Sequence, residues 1–386
     1  MIKRGTLAVF TLLLLLSACH KAKETPPNTF VIGVETGPAM LDPRLATDSA
    51  SSKAFDLLFN GLVKREDDFS IVPDLAETWE VKDRLKYVFH LRKNVQFHNG
   101  VILTSADVKA VYDFVLDPAN KSPHRGTFKV IDSIETPDDQ TVIFNLKEKN
   151  APFLGSLTFA IVQKGTKAAT EHPIGTGPFK LVEYKRDEQL TFVKHENYFE
   201  GAPNLDGVIF KIVPDETVRT LELERGAVHM IMNPITPDLL PRFRKNESLK
   251  VITQLGTNYS YLGFNMEDKL AGDKNVREAI ALAIDRKSII EHILKGLAQP
   301  ATGPISPASR FYEGDVKTYK RDIEKAKQIL DDAGHKDPDG DGPQKRFTLR
   351  YSTSQNELRK RIAEVFQWQL SEAGIGIDIR SYEWGT

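Results

Sequence analysis

Apolar positions recur along the chain with two periods, and the period predicts the element. Runs that alternate, or that are short and β-branched, predict strands. These runs are Thr29–Val34, Tyr87–Leu91, Thr141–Leu146, Phe179–Tyr184, Leu190–Lys194, Val208–Val213, Arg346–Tyr351 and Ile375–Tyr382. Apolar spacings of three and four predict helices. These helices are Ala50–Leu62, one that begins near Thr104, a long helical region over Val276–Leu294, Asp322–Ala333 and Glu357–Ala373. The final strand, helix and strand follow one another in the order that favours a βαβ unit.

Turn residues predict several boundaries of these elements. The Thr104 hydroxyl can cap a helix, and Asp107 favours the positive end of the helix dipole. Gly334 and Gly374 follow the last two predicted helices and are expected to end them. The run Pro173–Pro178 places two glycines between prolines, which predicts a rigid turn.

Composition narrows the class of protein. The chain has 386 residues, of which 40% are hydrophobic and 27% charged, so a globular chain of two or three lobes is expected. The 52 Lys and Arg residues balance 53 Asp and Glu residues, which leaves a net charge of −1 and predicts no nucleic-acid partner. A single cysteine excludes an intrachain disulfide and a thiolate metal cluster.

The first residues predict export and lipid attachment. Lys3 and Arg4 precede a short apolar run that ends at Leu16, as in a secretion signal. The run is shorter than the ~20 residues that span a bilayer. The sequence Leu16–Cys19 resembles the lipobox of bacterial lipoproteins, in which the cysteine is acylated. We therefore predict a signal peptide at 1–18, lipidation of Cys19 and a polar tether at 19–29. A plain signal peptide with an incidental cysteine is the alternative.

Motifs of catalysis are missing. The chain lacks Gly-x-Ser-x-Gly, a P-loop and His-Glu-x-x-His, so a hydrolase, nucleotide or zinc site is not supported, and no cofactor is predicted. One metal-like run contains Asp337, Asp339 and Asp341, which match the first half of a calcium loop. The twelfth position of that loop is Thr348, where a glutamate is expected, so an acid- and glycine-rich surface turn is the favoured interpretation, no metal site is predicted, and calcium binding is the alternative.

A series of short phrases runs in one order from about residue 30 to the end of the chain. The phrases are Met40–Pro43, Phe59–Val63, Val72–Trp79, Phe89–Gly100, Leu103–Val108, Gly175–Phe179, Leu262–Asn265, Val276–Ile280 and Ile284–Arg286. Each is weak alone. Together they resemble the peptide/nickel class of bacterial ABC-transporter solute-binding proteins, which also carry an acylated anchor.

The resemblance implies an α/β fold of the two-lobed periplasmic-binding-protein type, with an additional α/β domain on the first lobe. The first lobe would comprise residues 30–48 and 170–262, the additional domain 49–169, and the second lobe 263–386. Members usually continue well beyond the segment that resembles Ser381–Thr386. The expectation is therefore a partial member with an incomplete second lobe and exposed strand edges.

The resemblance also supplies candidate ligand contacts. Ala39 and Met40 lie where the first lobe of the family reaches the cleft. Tyr259, Tyr261 and Asn265 lie on the segment that resembles the crossing between lobes, and Trp384 matches an aromatic residue near the pocket. The alternatives are structural, because Tyr259 and Tyr261 could share the core face of a strand and Asn265 could cap a turn. Asp42, Pro43, Gly175, Gly177 and Pro178 are predicted to be structural, and Arg92 and Arg277 to be salt-bridged scaffolding.

The predicted function is that of a lipid-anchored, monomeric solute-binding component of an ABC importer, with no enzymatic activity. It would bind a small solute, most simply a peptide, and deliver it to a membrane permease. Its place would be the periplasmic or extracellular face of a membrane. The residues leave open a nickel chelate, haem, an opine or a sugar as the solute. A secreted hydrolase or a sensor domain is the alternative of another class. His20 follows the acylated cysteine, and the absence of Asp there is compatible with outward sorting in Gram-negative bacteria.

Overall fold

The computed structural model describes residues 27–169, 171–232, 235–254, 256, 258–307, 309, 311–340 and 342–382. The chain divides into two compact units, unit 1 at Met1–Asn233 and unit 2 at Pro234–Thr386. The lobe assignments drawn from the resemblance, with a boundary between 262 and 263, stay predictions.

Within its described residues, unit 1 combines three sheets with short helices. Its strands are β1 Thr29–Val34, β2 Val63–Arg65, β3 Ile71–Pro73, β4 Ala76–Lys82, β5 Lys86–Leu91, β6 Ile131–Asp138, β7 Thr141–Leu146, β8 Phe179–Lys185, β9 Gln189–Lys194, β10 Gly207–Ile212 and β11 Met230–Ile231. Its helices are α1 Ser49–Leu58, α2 Ser105–Leu116, α3 Arg125–Phe128, α4 Phe153–Ser156 and α5 Glu216–Glu224, with a 3-10 turn at Pro118–Asn120. The strands predicted in this unit are confirmed to within one or two residues at each end.

The larger sheet of unit 1 is mixed, in the order β11-β1-β10-β9-β8. Strand β1 runs parallel to β10 and β11, whereas β8, β9 and β10 are antiparallel neighbours. A four-stranded antiparallel sheet, β4-β5-β7-β6, and the hairpin β2-β3 lie within residues 49–169. Helix α2 packs on the four-stranded sheet, where the buried ring of Tyr112 meets Phe144 edge-on at 5.1 Å.

Unit 2 contains a second core and the predicted βαβ unit. Its elements are α6 Leu240–Lys245, α7 Lys274–Ala283, α8 Arg286–Ser288, α9 Ile323–Asp332, β12 Phe347–Ser354, α10 Glu357–Ser371 and β13 Ile375–Tyr382, with a 3-10 turn at Pro237–Leu239 and a π-helical turn at Ile289–Ile293. Strands β12 and β13 pair in parallel and α10 connects them, which confirms the βαβ prediction. The core joins α7, α9, α10 and β13 through Val276, Leu330, Leu370 and Ile375.

The helix predicted over 50–62 is wrong at its carboxyl end. Helix α1 ends at Leu58, and Phe59 is extended, with φ −135° and ψ 162°. Beyond it the chain leaves the helix because Leu62 donates its N–H to the Leu157 carbonyl at 3.0 Å. A Cβ at Gly61 would meet the Thr158 main chain at 2.7 Å, so the segment packs against another part of unit 1 rather than against its own helix.

The long helical region predicted over 276–294 is also interrupted. Helix α7 ends at Ala283, and Ile284 is extended. Asp285 then accepts the N–H of Ser288 at 3.0 Å and so starts α8 as a separate helix. The apolar spacing continues across the break because both pieces face the same core. Periodicity alone therefore did not reveal the interruption.

Candidate ligand-binding segments

The segment of unit 1 that carries Ala39 and Met40 docks on the start of α1. The N–H of Ala39 donates to Asp48 Oδ1 at 3.5 Å, and the N–H of Met40 donates to Ser51 Oγ at 3.3 Å. Asp48 also caps α1 by accepting the Ser51 N–H at 2.8 Å. The protein itself therefore holds both N–H groups. The exposed side chain of Ala39 and the half-buried side chain of Met40 remain available for contact.

Asp42 holds this segment in place through a buried ion pair. Its carboxylate accepts the Nε and Nη2 groups of Arg44 at 2.9 and 2.8 Å, in a pair whose side chains are only 1% and 6% exposed. The Ala169 N–H donates to the same carboxylate at 3.0 Å. A buried charge needs such partners. The geometry thus gives Asp42 the structural role that its sequence context predicts.

The glycine-rich turn that precedes β8 lies against the end of α1. A Cβ at Gly175 would be 1.9 Å from the Leu58 carbonyl oxygen, and a Cβ at Gly177 would be 2.5 Å from the Leu57 carbonyl oxygen. The Gly177 N–H donates to the Leu58 oxygen at 3.0 Å. Only glycine fits both positions, so the two residues are structural.

Two imidazoles meet at the same turn. His98 Nε2 and His195 Nδ1 each lie 3.2 Å from the Gly177 carbonyl, so both nitrogens donate to one oxygen. His98 Nδ1 accepts the Gly175 N–H at 3.3 Å, which defines a neutral tautomer of that ring. Burial lowers the pKa of His98 to about 4 and also lowers the pKa of His195. The pair therefore braces the turn, since both ring nitrogens of His98 and Nδ1 of His195 bond the main chain.

Asp74 is the centre of a buried hydrogen-bond network that the sequence did not predict. Asp74 accepts Asn60 Nδ2 at 2.9 Å and the Gly61 N–H at 3.1 Å. Asn60 in turn bonds the Tyr198 hydroxyl at 3.2 Å and accepts the Thr176 hydroxyl at 3.0 Å. Burial raises the pKa of Asp74 to about 6, against the opposing effect of the hydrogen bonds from Gly61 and Asn60 and of the nearby Lys64 charge. No local signal reveals this network, because Asn60 and Tyr198 are 138 positions apart.

In unit 2, the two candidate tyrosines form an exposed stack. The rings of Tyr259 and Tyr261 lie 5.2 Å apart at an interplanar angle of 26°, with 45% and 74% of the residues exposed. The residues from 258 to 265 belong to no helix or strand, so the strand-face alternative is wrong. Leu262 and Phe264 pack against the core of unit 2 and anchor the segment from its inner side.

Asn265 has a local structural role. Its side-chain oxygen accepts the Glu267 N–H at 3.1 Å, and its carbonyl accepts the Asp268 N–H at 3.2 Å. These bonds form a turn, which agrees with the alternative interpretation that Asn265 caps a turn. The amide nitrogen of the side chain is the part of Asn265 that these two bonds leave for a ligand.

Several other exposed apolar side chains occur in the same part of the unit 2 sequence. Besides the two tyrosines, large apolar residues that are more than a third exposed between 252 and 316 are Ile252, Met266, Leu297, Ile305, Phe311 and Val316. The Ser306 hydroxyl donates to the Gly256 carbonyl at 3.0 Å and ties two parts of this stretch together.

The remaining candidates fall partly outside the described residues. Cys19, Trp384 and Asp341 lie outside them. In the calcium-like run, Asp337 Oδ1 accepts the Asp339 N–H at 3.2 Å, and Asp337 Oδ2 lies 3.6 Å from Arg346 Nε. Among the described residues no group of three or more His, Cys, Asp or Glu side chains could hold a metal ion. Calcium binding by this run remains the untested alternative to a surface turn.

The two scaffolding arginines bond main-chain oxygens. Arg92 Nε donates to the Asp74 carbonyl at 2.7 Å, and Arg277 Nη1 donates to the Gly272 carbonyl at 2.7 Å. Their scaffolding role is thus carried by carbonyl groups rather than by the carboxylates that were predicted. No helix within the described part of the chain is long and apolar enough to cross a membrane.

Comparison of the sequence with known proteins identifies the family. The profile of the bacterial extracellular solute-binding proteins, family 5 (middle), matches residues 70–386. The oligopeptide-binding protein AppA of Bacillus subtilis is 31% identical over 413 residues, which cover 98% of this chain and 76% of AppA. Haem-binding protein A of Haemophilus influenzae is 31% identical over 428 residues, which cover 99% of this chain and 77% of that protein.

Solved structures agree on the fold. AppA of Bacillus subtilis in complex with a nonapeptide matches with a TM-score of 0.81 and 32% identity, over 92% of this chain and 75% of that chain. NikZ of Campylobacter jejuni in complex with Ni(L-His) matches with a TM-score of 0.82 and 27% identity, over 94% of this chain and 75% of that chain. The mixed sheet and the βαβ unit described above are thus parts of a two-lobed periplasmic-binding fold. The chain belongs to the bacterial extracellular solute-binding proteins of family 5, the peptide/nickel class of ABC-importer binding proteins, whose members bind solutes rather than catalyse reactions.

Proposed function

We propose that this protein captures peptides outside the cytoplasm and delivers them to the permease of an ABC importer. In this proposal a lipid on Cys19 holds one monomeric chain to the membrane. The ligand contacts are Ala39, Met40, Tyr259, Tyr261, Asn265 and Trp384. The relatives named for oligopeptides and dipeptides support a peptide as the solute.

The observation that carries the proposal is the exposed Tyr259–Tyr261 stack on an irregular but anchored segment. Tyrosine rings offer apolar area at low conformational cost, and their hydroxyl groups can bond polar atoms of many kinds. A main chain outside helices and strands can pair with the N–H and C=O groups of an extended peptide. Both properties favour binding that depends on the peptide main chain and tolerates different side chains.

Titration calorimetry with short peptides tests this proposal. The protein for it is the full chain carrying Cys19→Ser, which cannot be acylated. We expect Tyr259→Ala and Tyr261→Ala each to weaken binding roughly 10-fold to 100-fold, because each removes about 1–3 kcal/mol of contact. Trp368→Ala is the matched control, since Trp368 is a 64% exposed aromatic residue of unit 2 on α10. Equal weakening in all three variants, or none in the tyrosine variants, would contradict the tyrosine contacts.

The solute class needs its own comparison, because the haem-binding relative is as similar in sequence as the oligopeptide-binding one. Haem binding is followed by its absorbance and binding of a nickel–histidine complex by calorimetry, on the same preparation. We expect peptides alone to bind. Binding of haem or nickel–histidine without peptide binding would replace the solute and leave the family assignment intact.

The anchor is tested separately in the native host. We expect mass spectrometry of the membrane fraction to find acyl chains on an N-terminal Cys19. The Cys19→Ala variant should move to the soluble fraction, because two or more acyl chains are needed for durable attachment. A variant that stays membrane-bound would contradict the lipid anchor.

A further inference from the structure

The calcium-like run at residues 337–342 lies next to a buried arginine of unit 2. The run follows α9 and leads to β12, and its acids alternate as in a loop that binds calcium. Arg346 is the residue before β12, and its side chain is only 3% exposed. A guanidinium is always charged, so a buried one needs oxygen partners. The partners of Arg346 therefore show which negative charges it neutralises.

Oxygen atoms from the end of α9 and from the start of the run surround this guanidinium. Arg346 Nη1 donates to Asp331 Oδ1 and to the His335 carbonyl, the latter at 2.7 Å. Arg346 Nε lies 3.6 Å from Asp337 Oδ2, which is an ion-pair distance rather than a hydrogen bond. Carboxylates and main-chain carbonyls are the ligands that calcium takes in proteins. In this structure they meet a positive charge that belongs to the chain.

The turn between α10 and β13 fixes the position of that charge. The Arg346 N–H donates to the Gly374 carbonyl at 2.8 Å. Gly374 has a positive φ of 74°, and a Cβ there would lie 3.0 Å from Arg346 Cγ and Nε. The glycine therefore leaves the space that the arginine side chain fills. Because the guanidinium is held on one side by this turn and on the other by α9, it has little room to withdraw from the acids.

The acids of the run also bond the main chain of their own loop. Asp337 Oδ1 accepts the Asp339 N–H at 3.2 Å, and Asp339 Oδ2 accepts the Gln344 N–H at 3.1 Å. Such bonds from a side chain to the main chain shape tight turns. A divalent cation at Asp337 would lie close to the guanidinium and be repelled by it. The arrangement favours neutralisation by Arg346 over neutralisation by calcium.

We propose that Arg346 is the resident cation of this acidic run and takes the place of the calcium ion that the spacing of its acids suggests. Unit 2 then reaches its full stability without a divalent cation. The inference is independent of the proposed function, because the residues that carry it differ from the proposed ligand contacts. A protein that acts outside the cytoplasm would thereby keep this unit folded whatever the calcium concentration around it.

Differential scanning calorimetry tests the proposal on the full chain carrying Cys19→Ser, first in EDTA and then in excess calcium chloride at matched ionic strength. We expect the parent to melt within about 1 °C under both conditions. Arg346→Met should melt roughly 10 °C lower in EDTA, because it leaves Asp337 and Asp331 without their cation. Calcium should then raise the melting temperature of this variant by roughly 3 °C, because the ion can bind the freed carboxylates.

Two further variants separate charge from packing. Arg346→Lys keeps the charge but loses the planar fork, so it should melt below the parent and still ignore calcium. Arg350→Met is the matched control, since it removes the same charge at an exposed position of β12. It should melt within about 2 °C of the parent under both conditions.

Four outcomes would overturn the proposal. They are a parent that calcium stabilises by several degrees, an Arg346→Met variant that calcium leaves unchanged, an Arg346→Lys variant that responds to calcium as Arg346→Met does, and a control that loses as much stability as Arg346→Met. The parent and Arg346→Lys measurements decide the question even where Arg346→Met does not fold. Peptide binding by the parent is unaffected by any of these results, so the proposed function stands or falls separately.

Discussion

Replacement of Gly175 by alanine should lower the stability of unit 1, because the new Cβ would clash with the end of α1. The new Cβ would lie 1.9 Å from the Leu58 carbonyl oxygen, 2.5 Å from Phe59 Cδ1 and 2.9 Å from the Leu58 carbonyl carbon. Two of these atoms belong to the main chain at the end of α1 and cannot rotate away. The turn must therefore move by roughly 1.6 Å to restore an ordinary van der Waals distance of ~3.5 Å to the Leu58 oxygen.

That displacement has a calculable cost. Overpacking of a filled interior costs ~1–3 kcal/mol, and the movement also breaks the bond from the Gly177 N–H to the Leu58 oxygen, a buried contact worth about another 1–3 kcal/mol. We therefore expect the free energy of unfolding of unit 1 to fall by roughly 2–6 kcal/mol. For a unit of this size the midpoint of thermal unfolding should fall by roughly 10 °C.

Differential scanning calorimetry measures this effect, and Gly126→Ala is its matched control. Gly126 lies within α3, and a Cβ there would meet open space. Alanine should leave that helix unchanged or stabilise it by up to ~1 kcal/mol. If Gly175→Ala melts within about 2 °C of Gly126→Ala, the steric argument for the glycine-rich turn is wrong.

Three further changes test buried polar groups of unit 1. The pKa of Asp74 is raised from 3.8 to about 6, so its neutral form stabilises the fold below 3.8 and this contribution is lost as the pH rises through 6. The lowered pKa of His98 acts in the opposite sense and removes stability as the pH falls from 6.5 towards about 4. The Asp74→Asn variant lacks the stabilisation that the neutral Asp74 provides at low pH. Between pH 6.5 and 4 its free energy of unfolding should therefore fall more steeply than that of the parent, by up to about 3 kcal/mol. Parallel curves of unfolding free energy against pH would refute this. Arg44→Met leaves the Asp42 carboxylate buried without its cation, so the free energy of unfolding measured in urea should fall by about 3–5 kcal/mol. The double variant Arg44→Met with Asp42→Asn should recover part of that loss. Equal stability of the single and double variants would contradict this prediction. Tyr112→Phe removes a buried hydroxyl that has no hydrogen-bond partner among the described residues, so it should leave the melting temperature unchanged or raise it. A fall of several degrees would show that the hydroxyl is satisfied in solution.

Local signals predicted most of the regular structure. Alternation identified β5 and β7, whose side chains face a core on one side only, and Gly374 marked the end of α10 because it adopts a positive φ of 74°. The order of strand, helix and strand predicted the parallel pairing of β12 and β13. Turn chemistry likewise identified the run around Gly175 as structural. These features depend on residues close together in sequence, where periodicity and backbone conformation are the main constraints.

The misplaced helix ends mark the limit of local reasoning. The apolar spacing of 50–62 continues past Leu58, but contacts with Leu157 and Thr158, far away in sequence, take the chain out of the helix. The gain from those contacts exceeds the small helical preference of a few residues. The same reason explains the break after Ala283, where one core accepts both helices.

The chain by itself predicted most of its elements, an export signal and, through an ordered set of phrases, its resemblance to a family of binding proteins. Only the tertiary structure decided which polar side chains brace the fold and which side chains stay in solvent. It brought Asn60, Asp74 and Tyr198 into one buried network, and it left Tyr259 and Tyr261 stacked on the surface. The physical reason is that burial and hydrogen-bond partners are properties of three-dimensional neighbours, which sequence spacing does not specify.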